Sequence, residues 1–254
     1  MTDALRLAFG TLTRLPTAPP RSLDRRTAGR AMLLAPLTAL PPAIVVILLH
    51  LGVVDGPVPA LVAAVLIAGL TAWWSRGLHL DGVADTADGM AASYDPAQAL
   101  EVMRRGDIGP TGVVAVVLVL LLQVAASSVL LSSRGGSALV VVALLASRQA
   151  LVVGCRSGVP AARPDGLGAA VAGSVGWPAA VVSSLVALTA GVLLAVLAGA
   201  SWYAGPLVVV AGDLAALTVV ATARRRVGGV TGDVLGASVE IALAAALVTA
   251  SVLA

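Results

Sequence analysis

Hydrophobic positions in this chain fall in unbroken blocks about 20 residues long, not in alternating or one-sided patterns. A block of that length is what an α-helix needs to cross roughly 30 Å of hydrocarbon. Seven spans are predicted, at about 31–54, 57–75, 112–133, 137–154, 177–200, 202–222 and 234–253. The first contains Pro36, Pro41 and Pro42, which interrupt helical hydrogen bonding, so a kink is expected there. The turns on one side of the predicted bundle are a few residues long, while those on the other side are longer and carry nearly all the acids. The pattern predicts an all-α polytopic membrane protein with about seven transmembrane helices, a single integral domain over residues 1–254 without internal repeats.

Composition agrees with this reading. The chain is 59% hydrophobic and 11% charged, against about 25% charged in a typical soluble domain. Its mean hydropathy of +1.00 excludes a water-soluble surface and names the lipid bilayer as a partner. All of the sixteen basic residues are arginine, the net charge is only +3, and no basic tract suggests nucleic acid. Those arginines report topology instead. With the N-terminus cytoplasmic, segments 1–30, 76–111, 155–176 and 223–233 lie inside and hold fourteen of the sixteen, as the positive-inside rule requires. A multi-pass protein of the inner cell membrane with its chemistry facing the cytoplasm follows from that orientation. The first 30 residues lack the apolar core and cleavage site of a signal peptide and are read as an uncleaved interfacial segment. Cys155, alone, makes no intrachain disulfide and is read as inert.

The candidate chemistry lies in segment 76–111. Asp81, Asp85 and Asp88 are spaced i, i+4, i+7, which brings three carboxylates onto one helix face. Two such charges ~5 Å apart at an effective dielectric of ~20 repel by about 3 kcal/mol, so a cation is expected to offset them. Mg²⁺ suits hard oxygen ligands and bridges carboxylates to substrate phosphates. A merely solvated acidic loop has no need of one-face spacing. His79, two residues before Asp81, is a candidate base, although a lone interfacial histidine is the blander reading.

Asp95-Pro96-Ala97-Gln98 reads as a helix cap, and the short helix it starts ends near Arg104 and Arg105. The following Asp107-Ile108-Gly109-Pro110-Thr111-Gly112 opens a span whose free N–H groups, with Gly109 and the two arginines, make a candidate phosphate cradle. Arg163-Pro164-Asp165-Gly166 and Arg224-Arg225-Arg226 repeat the pairing of arginine with glycine on the same side. Asp233 and Glu240 are seven residues apart on one face, and Arg148, Asp213 and Glu240 all fall within spans. Ionisable groups at that depth must pair or face a polar cavity, which predicts that Arg148 pairs with Asp213 or Glu240.

The run Gly77-Leu78-His79-Leu80-Asp81-Gly82-Val83-Ala84-Asp85-Thr86-Ala87-Asp88-Gly89 resembles the signature segment of the cobalamin synthases, the adenosylcobinamide-GDP ribazoletransferases. Thr13-Arg14-Leu15-Pro16, Ile108-Gly109, Gly112, Arg163-Pro164-Asp165-Gly166-Leu167-Gly168 and Thr231-Gly232-Asp233-Val234-Leu235-Gly236-Ala237 extend the likeness along the whole chain. One departure is Arg105, where the family often has an acid. The resemblance implies an integral membrane transferase that uses Mg²⁺ and joins adenosylcobinamide-GDP to α-ribazole or its 5′-phosphate, releasing GMP. It implies metal on Asp81, Asp85 and Asp88. Independently of the resemblance, charge on a leaving phosphate has to be neutralised, and the candidate substrate or phosphate contacts are Arg14, Arg104, Arg105, Gly109, Arg163, Asp233 and Glu240. A CDP-alcohol phosphatidyltransferase or a membrane prenyltransferase also sets aspartates and Mg²⁺ on a diphosphate, but the Ala-Arg and later paired aspartates of the former are missing. A proton-coupled transporter relaying through Arg148, Asp213 and Glu240 leaves the clustered aspartates unexplained.

Overall fold

A computed structural model describes residues 2–254 of the chain, and the described residues form helices and no strands. Two surface helices come first, α1 (Asp3–Leu12) and α2 (Arg25–Leu33), each opened by a side-chain cap, from Thr2 and Asp24. The first predicted span then breaks where its prolines fall. Ala35–Ala39 is a 3₁₀ turn with Pro36 inside it, and α3 (Leu40–Val54) continues the crossing.

Helix α4 (Ala60–Trp74) has only 15 residues. It ends in a corner made by Arg76 and Gly77, both left-handed (φ 58° and 74°), and the chain turns through 87° into α5 (Leu78–Ala92). The acidic segment between two predicted spans, whose aspartates were expected to share one helix face, is a helix laid across the end of the bundle. It is followed by α6 (Pro96–Arg105) and the long helices α7 (Pro110–Leu131) and α8 (Gly136–Gly154). After the short α9 (Gly166–Val171) come α10 (Trp177–Leu197), α11 (Ala204–Val227) and α12 (Gly232–Leu253).

Six of these elements are long and apolar enough to cross a membrane, or seven if the α4–α5 pair counts as one broken span. Helices α8 and α12 form the centre and are buried along most of their length. Around them, α3, α4, α7 and α10 expose Leu48, Leu66, Leu121, Leu122, Val186 and Leu193. A continuous outer coat of branched aliphatics is costly in water and favourable in lipid, which fits the multi-pass reading. Inside, contact is made by small residues. A Cβ on Gly205 of α11 would strike the backbone of Gly191 in α10, and Gly212 sits against Ala146 and Ala246. Close backbone approach of this kind drives helix association where no hydrophobic force acts between helices.

Candidate active site

The same small-residue logic positions the acids. A Cβ on Gly82 would lie 2.5 Å from the Asp233 carbonyl oxygen and 3.1 Å from Gly236 Cα, so α5 and α12 touch backbone to backbone. That contact sets Asp85 beside Asp233, although 148 residues separate them in sequence. Asp81 is exposed, whereas Asp85 is only 8% exposed. Burial pushes the Asp85 carboxyl up to about 6, and the charges of Asp81, Asp233 and Asp88 push the same way, with Arg163 opposing. Arg163 Nη2 donates to Asp233 Oδ2 at 3.0 Å, and Thr231 Oγ1 donates to the same oxygen at 3.1 Å. Thr231 also caps α12 by accepting the Val234 N–H.

Asp88 departs from the expected trio. The N–H groups of Gly109 and Gly112 donate to its Oδ2 and Oδ1 at 2.6 and 2.8 Å. The anion held at the N-terminus of α7 is thus this carboxylate, and the predicted phosphate cradle at Gly109 is already filled from within the chain. Both glycines are needed for the approach, because a Cβ at either would collide with the Asp88 carboxylate. Among the described residues no three acids, histidines or cysteines close around one point as a metal cage. The acidic surface is built instead from Asp81, Asp85 and Asp233, with one arginine.

Beneath it lies a buried polar layer. His79 is 1% exposed and does not reach the acidic surface. Arg148 Nη1 lies 3.0 Å from His79 Nδ1, and a guanidinium can only donate, so Nδ1 accepts and the proton of a neutral ring sits on Nε2. Glu240 Oε1 is 3.8 Å from the same nitrogen, while its Oε2 accepts from Gln123 Nε2 at 2.8 Å. The intramembrane arginine therefore sits with Glu240 and not with Asp213, and it does so across a histidine that the sequence reading offered as a base. With its Nδ1 lone pair engaged and its ring enclosed, His79 ties α5 to α8 and α12 and positions the helix; it is not placed to take a substrate proton. Asp213 belongs to a separate chain, Ser183–Gln149–Ser184–Asp213, between α8, α10 and α11.

The remaining predicted contacts scatter. Arg14 stacks on the Trp73 ring at 4.1 Å, Arg105 pairs with Glu101, and Arg104 reaches Asp165 at 3.5 Å on the open surface. Arg226 caps the end of α5 by donating to Met90 and Ser93 carbonyls. Gln123 was missed by sequence reading, yet it is the one amide in its span and that isolation was the available signal. Beside Asp81, between α5 and α7, opens a cavity of about 700 Å³.

Similarity to known proteins runs through the whole of this frame. The cobalamin-5-phosphate synthase family matches residues 4–251. The chain is 47% identical over 247 residues to an adenosylcobinamide-GDP ribazoletransferase of Nocardioides sp., covering 97% of each chain. Proteins of the same name from Frankia casuarinae and Syntrophobacter fumaroxidans are 38% and 35% identical, over 95% and 92% of this chain and 92% of each relative. No solved structure matches it. With Asp81, Asp85 and Asp233 brought together by the segments that carried the resemblance, and with relatives matched end to end, the chain belongs to the cobalamin-5-phosphate synthase family.

Proposed function

We propose that this protein is a membrane transferase that joins adenosylcobinamide-GDP to α-ribazole or its 5′-phosphate with loss of GMP, and that Asp81, Asp85 and Asp233 form the surface that receives the donor diphosphate with Mg²⁺. In the reaction a ribose hydroxyl oxygen bonds to the cobinamide-side phosphorus, the bond to GMP breaks, and the hydroxyl proton passes to base or solvent. The observation that carries the reading is the approach of these three carboxylates at the α5–α12 contact, with Arg163 paired to Asp233.

The residues suit Mg²⁺. The donor set is hard oxygen and net negative, and this ion is commonly held by one or two carboxylates plus waters and substrate phosphates, not by a complete protein cage. When bound it would offset charge on the diphosphate and on the departing GMP. Asp81, reachable from solvent, and Asp85, just behind it, are the holding pair. Arg163 keeps Asp233 oriented and adds positive charge where phosphate charge develops. Arg104, paired only with an exposed Asp165, is free to swing onto the nucleotide side. The chain's own proton acceptor is a carboxylate of this surface, because His79 is enclosed beneath it. Catalysis here is mostly positioning, and the rigid seat of α5 supplies it.

The orientation completes the proposal. The ends that carry α5 and the arginine-rich segments face the cytoplasm, with the N-terminus, in keeping with the arginine asymmetry. Purified protein in lipid nanodiscs, given adenosylcobinamide-GDP, is expected to release GMP only when both α-ribazole and Mg²⁺ are present. GMP release that ignores ribazole would contradict the transfer.

A further inference from the structure

Resting on that reading of the site, we infer that the cavity between α5 and α7 is the acceptor subsite, and that it takes a riboside by its apolar, bicyclic aromatic base. Asp81 belongs to both the acidic surface and the cavity wall, so a molecule lodged there lies next to the diphosphate. Apart from Asp81 and Arg76, the cavity is lined by hydrocarbon or glycine, including Leu80, Ala84, Ile108, Val113 and Val117. Its volume of about 700 Å³ suits a small ligand, since such sites run from about 300 to 1,000 Å³.

Chemistry then separates the three groups that must be housed near Asp81. A guanine base brings an amine, a ring N–H and a carbonyl; with Asp81 turned to the diphosphate and the Arg76 guanidinium engaged by the Gly10 and Thr11 carbonyls, the rest of the wall is hydrocarbon and would leave those groups unpaired. A corrin macrocycle fringed with amides is both larger and more polar than the space. The dimethylbenzimidazole of ribazole has two methyl groups, no N–H donor and a flat apolar body, which a wall of Val, Leu and Ile accepts through burial alone.

Two further features fit. Val113 and Val117 stand in the first turns of a membrane span and are about half exposed, so the cavity opens sideways at the level where an apolar base partitions. The rim is fixed as well. Arg76 is the only residue other than glycine with a positive φ among the described residues, and its Nη2 donates to the Gly10 and Thr11 carbonyls at 3.0 Å each. The corner between α4 and α5 is thereby pinned to α1.

Val117→Trp fills the cavity without touching the acids. In nanodiscs the expected result is a KM for α-ribazole raised at least ten-fold, with the KM for adenosylcobinamide-GDP and the Mg²⁺ half-saturation changed less than two-fold. The filled variant is also expected to prefer the unmethylated benzimidazole riboside, reversing the wild-type order. Should that variant fail to fold, Val117→Ala enlarges the same space and is expected to improve the relative use of a diethyl-substituted base. An unchanged ribazole KM, or a rise in the donor KM instead, overturns the assignment, as does a cavity whose filling alters only the dependence on lipid chain length. Wild-type protein without ribazole-dependent GMP release would remove the transfer itself, a failure distinct from that of the subsite.

Discussion

Replacing Gly82 with alanine tests the seat of the acidic surface with one methyl group. The added Cβ would stand 2.5 Å from the Asp233 carbonyl oxygen, 3.1 Å from Gly236 Cα and 3.2 Å from the Ala237 nitrogen. All three are backbone atoms and cannot swing aside, so α5 and α12 must part by about 1 Å to regain an ordinary contact of ~3.5 Å. Overpacking of this kind costs roughly 1–3 kcal/mol, enough to lower the thermal midpoint without unfolding the bundle. The larger effect is on chemistry. A shift of about 1 Å between Asp85 and Asp233 is expected to lower kcat/KM for GMP release about 100-fold, the loss typical of such misplacement. Gly69→Ala is the control, because a Cβ on Gly69 of α4 meets nothing within 4 Å. The assay is ribazole-dependent GMP release alongside thermal unfolding in the same nanodiscs. Wild-type kcat/KM in Gly82→Ala would show that the α5–α12 contact does not set the active geometry.

Further consequences concern charge. Because burial and neighbouring acids raise the Asp85 carboxyl to about 6, it gains a proton as the pH falls through that value and loses its power to hold a cation. The Mg²⁺ half-saturation is therefore expected to rise about ten-fold per unit below pH 6 and to level off above pH 7, and Asp85→Asn should abolish that slope along with most activity. Asp88→Ala leaves the Gly109 and Gly112 N–H groups without their acceptor and should cost about 2 kcal/mol, read as a lower thermal midpoint. Arg148→Met strands the Glu240 carboxylate in a buried site and is expected to cost roughly 3–5 kcal/mol, while the double change with Glu240→Gln recovers most of it; an additive double variant would contradict the coupling.

The spans were legible because each is a self-contained 20-residue apolar block, and even the break at Ala35–Ala39 was announced by Pro36, Pro41 and Pro42. The helical spacing of Asp81, Asp85 and Asp88 was equally local, and all three lie in one helix, α5. What periodicity does not carry is which helix lies alongside. Asp233 joins Asp85 because Gly82 and Gly236 allow two backbones to meet, a fact held by neither segment alone. For the same reason Arg148 was left between Asp213 and Glu240, and only the packing of α5, α8 and α12 around His79 decides it. At Gly109 and Gly112 the sequence reading found an anion site and assigned it to substrate phosphate, when the anion is Asp88. The 87° corner at Arg76 and Gly77, which lays the acidic helix across the bundle end, had only one glycine to announce it.

The central claim is that carboxylates at the α5–α12 contact hold Mg²⁺ against the donor diphosphate. Titrating Mg²⁺ into single-turnover GMP release measures it most directly, with Asp81→Asn, Asp85→Asn and Asp233→Asn each compared with the parent protein. The account predicts a Mg²⁺ half-saturation at least ten-fold higher for Asp81→Asn and Asp85→Asn, with a smaller rise for Asp233→Asn, whose carboxylate is already engaged by Arg163. Superimposable titrations for all four proteins would contradict it.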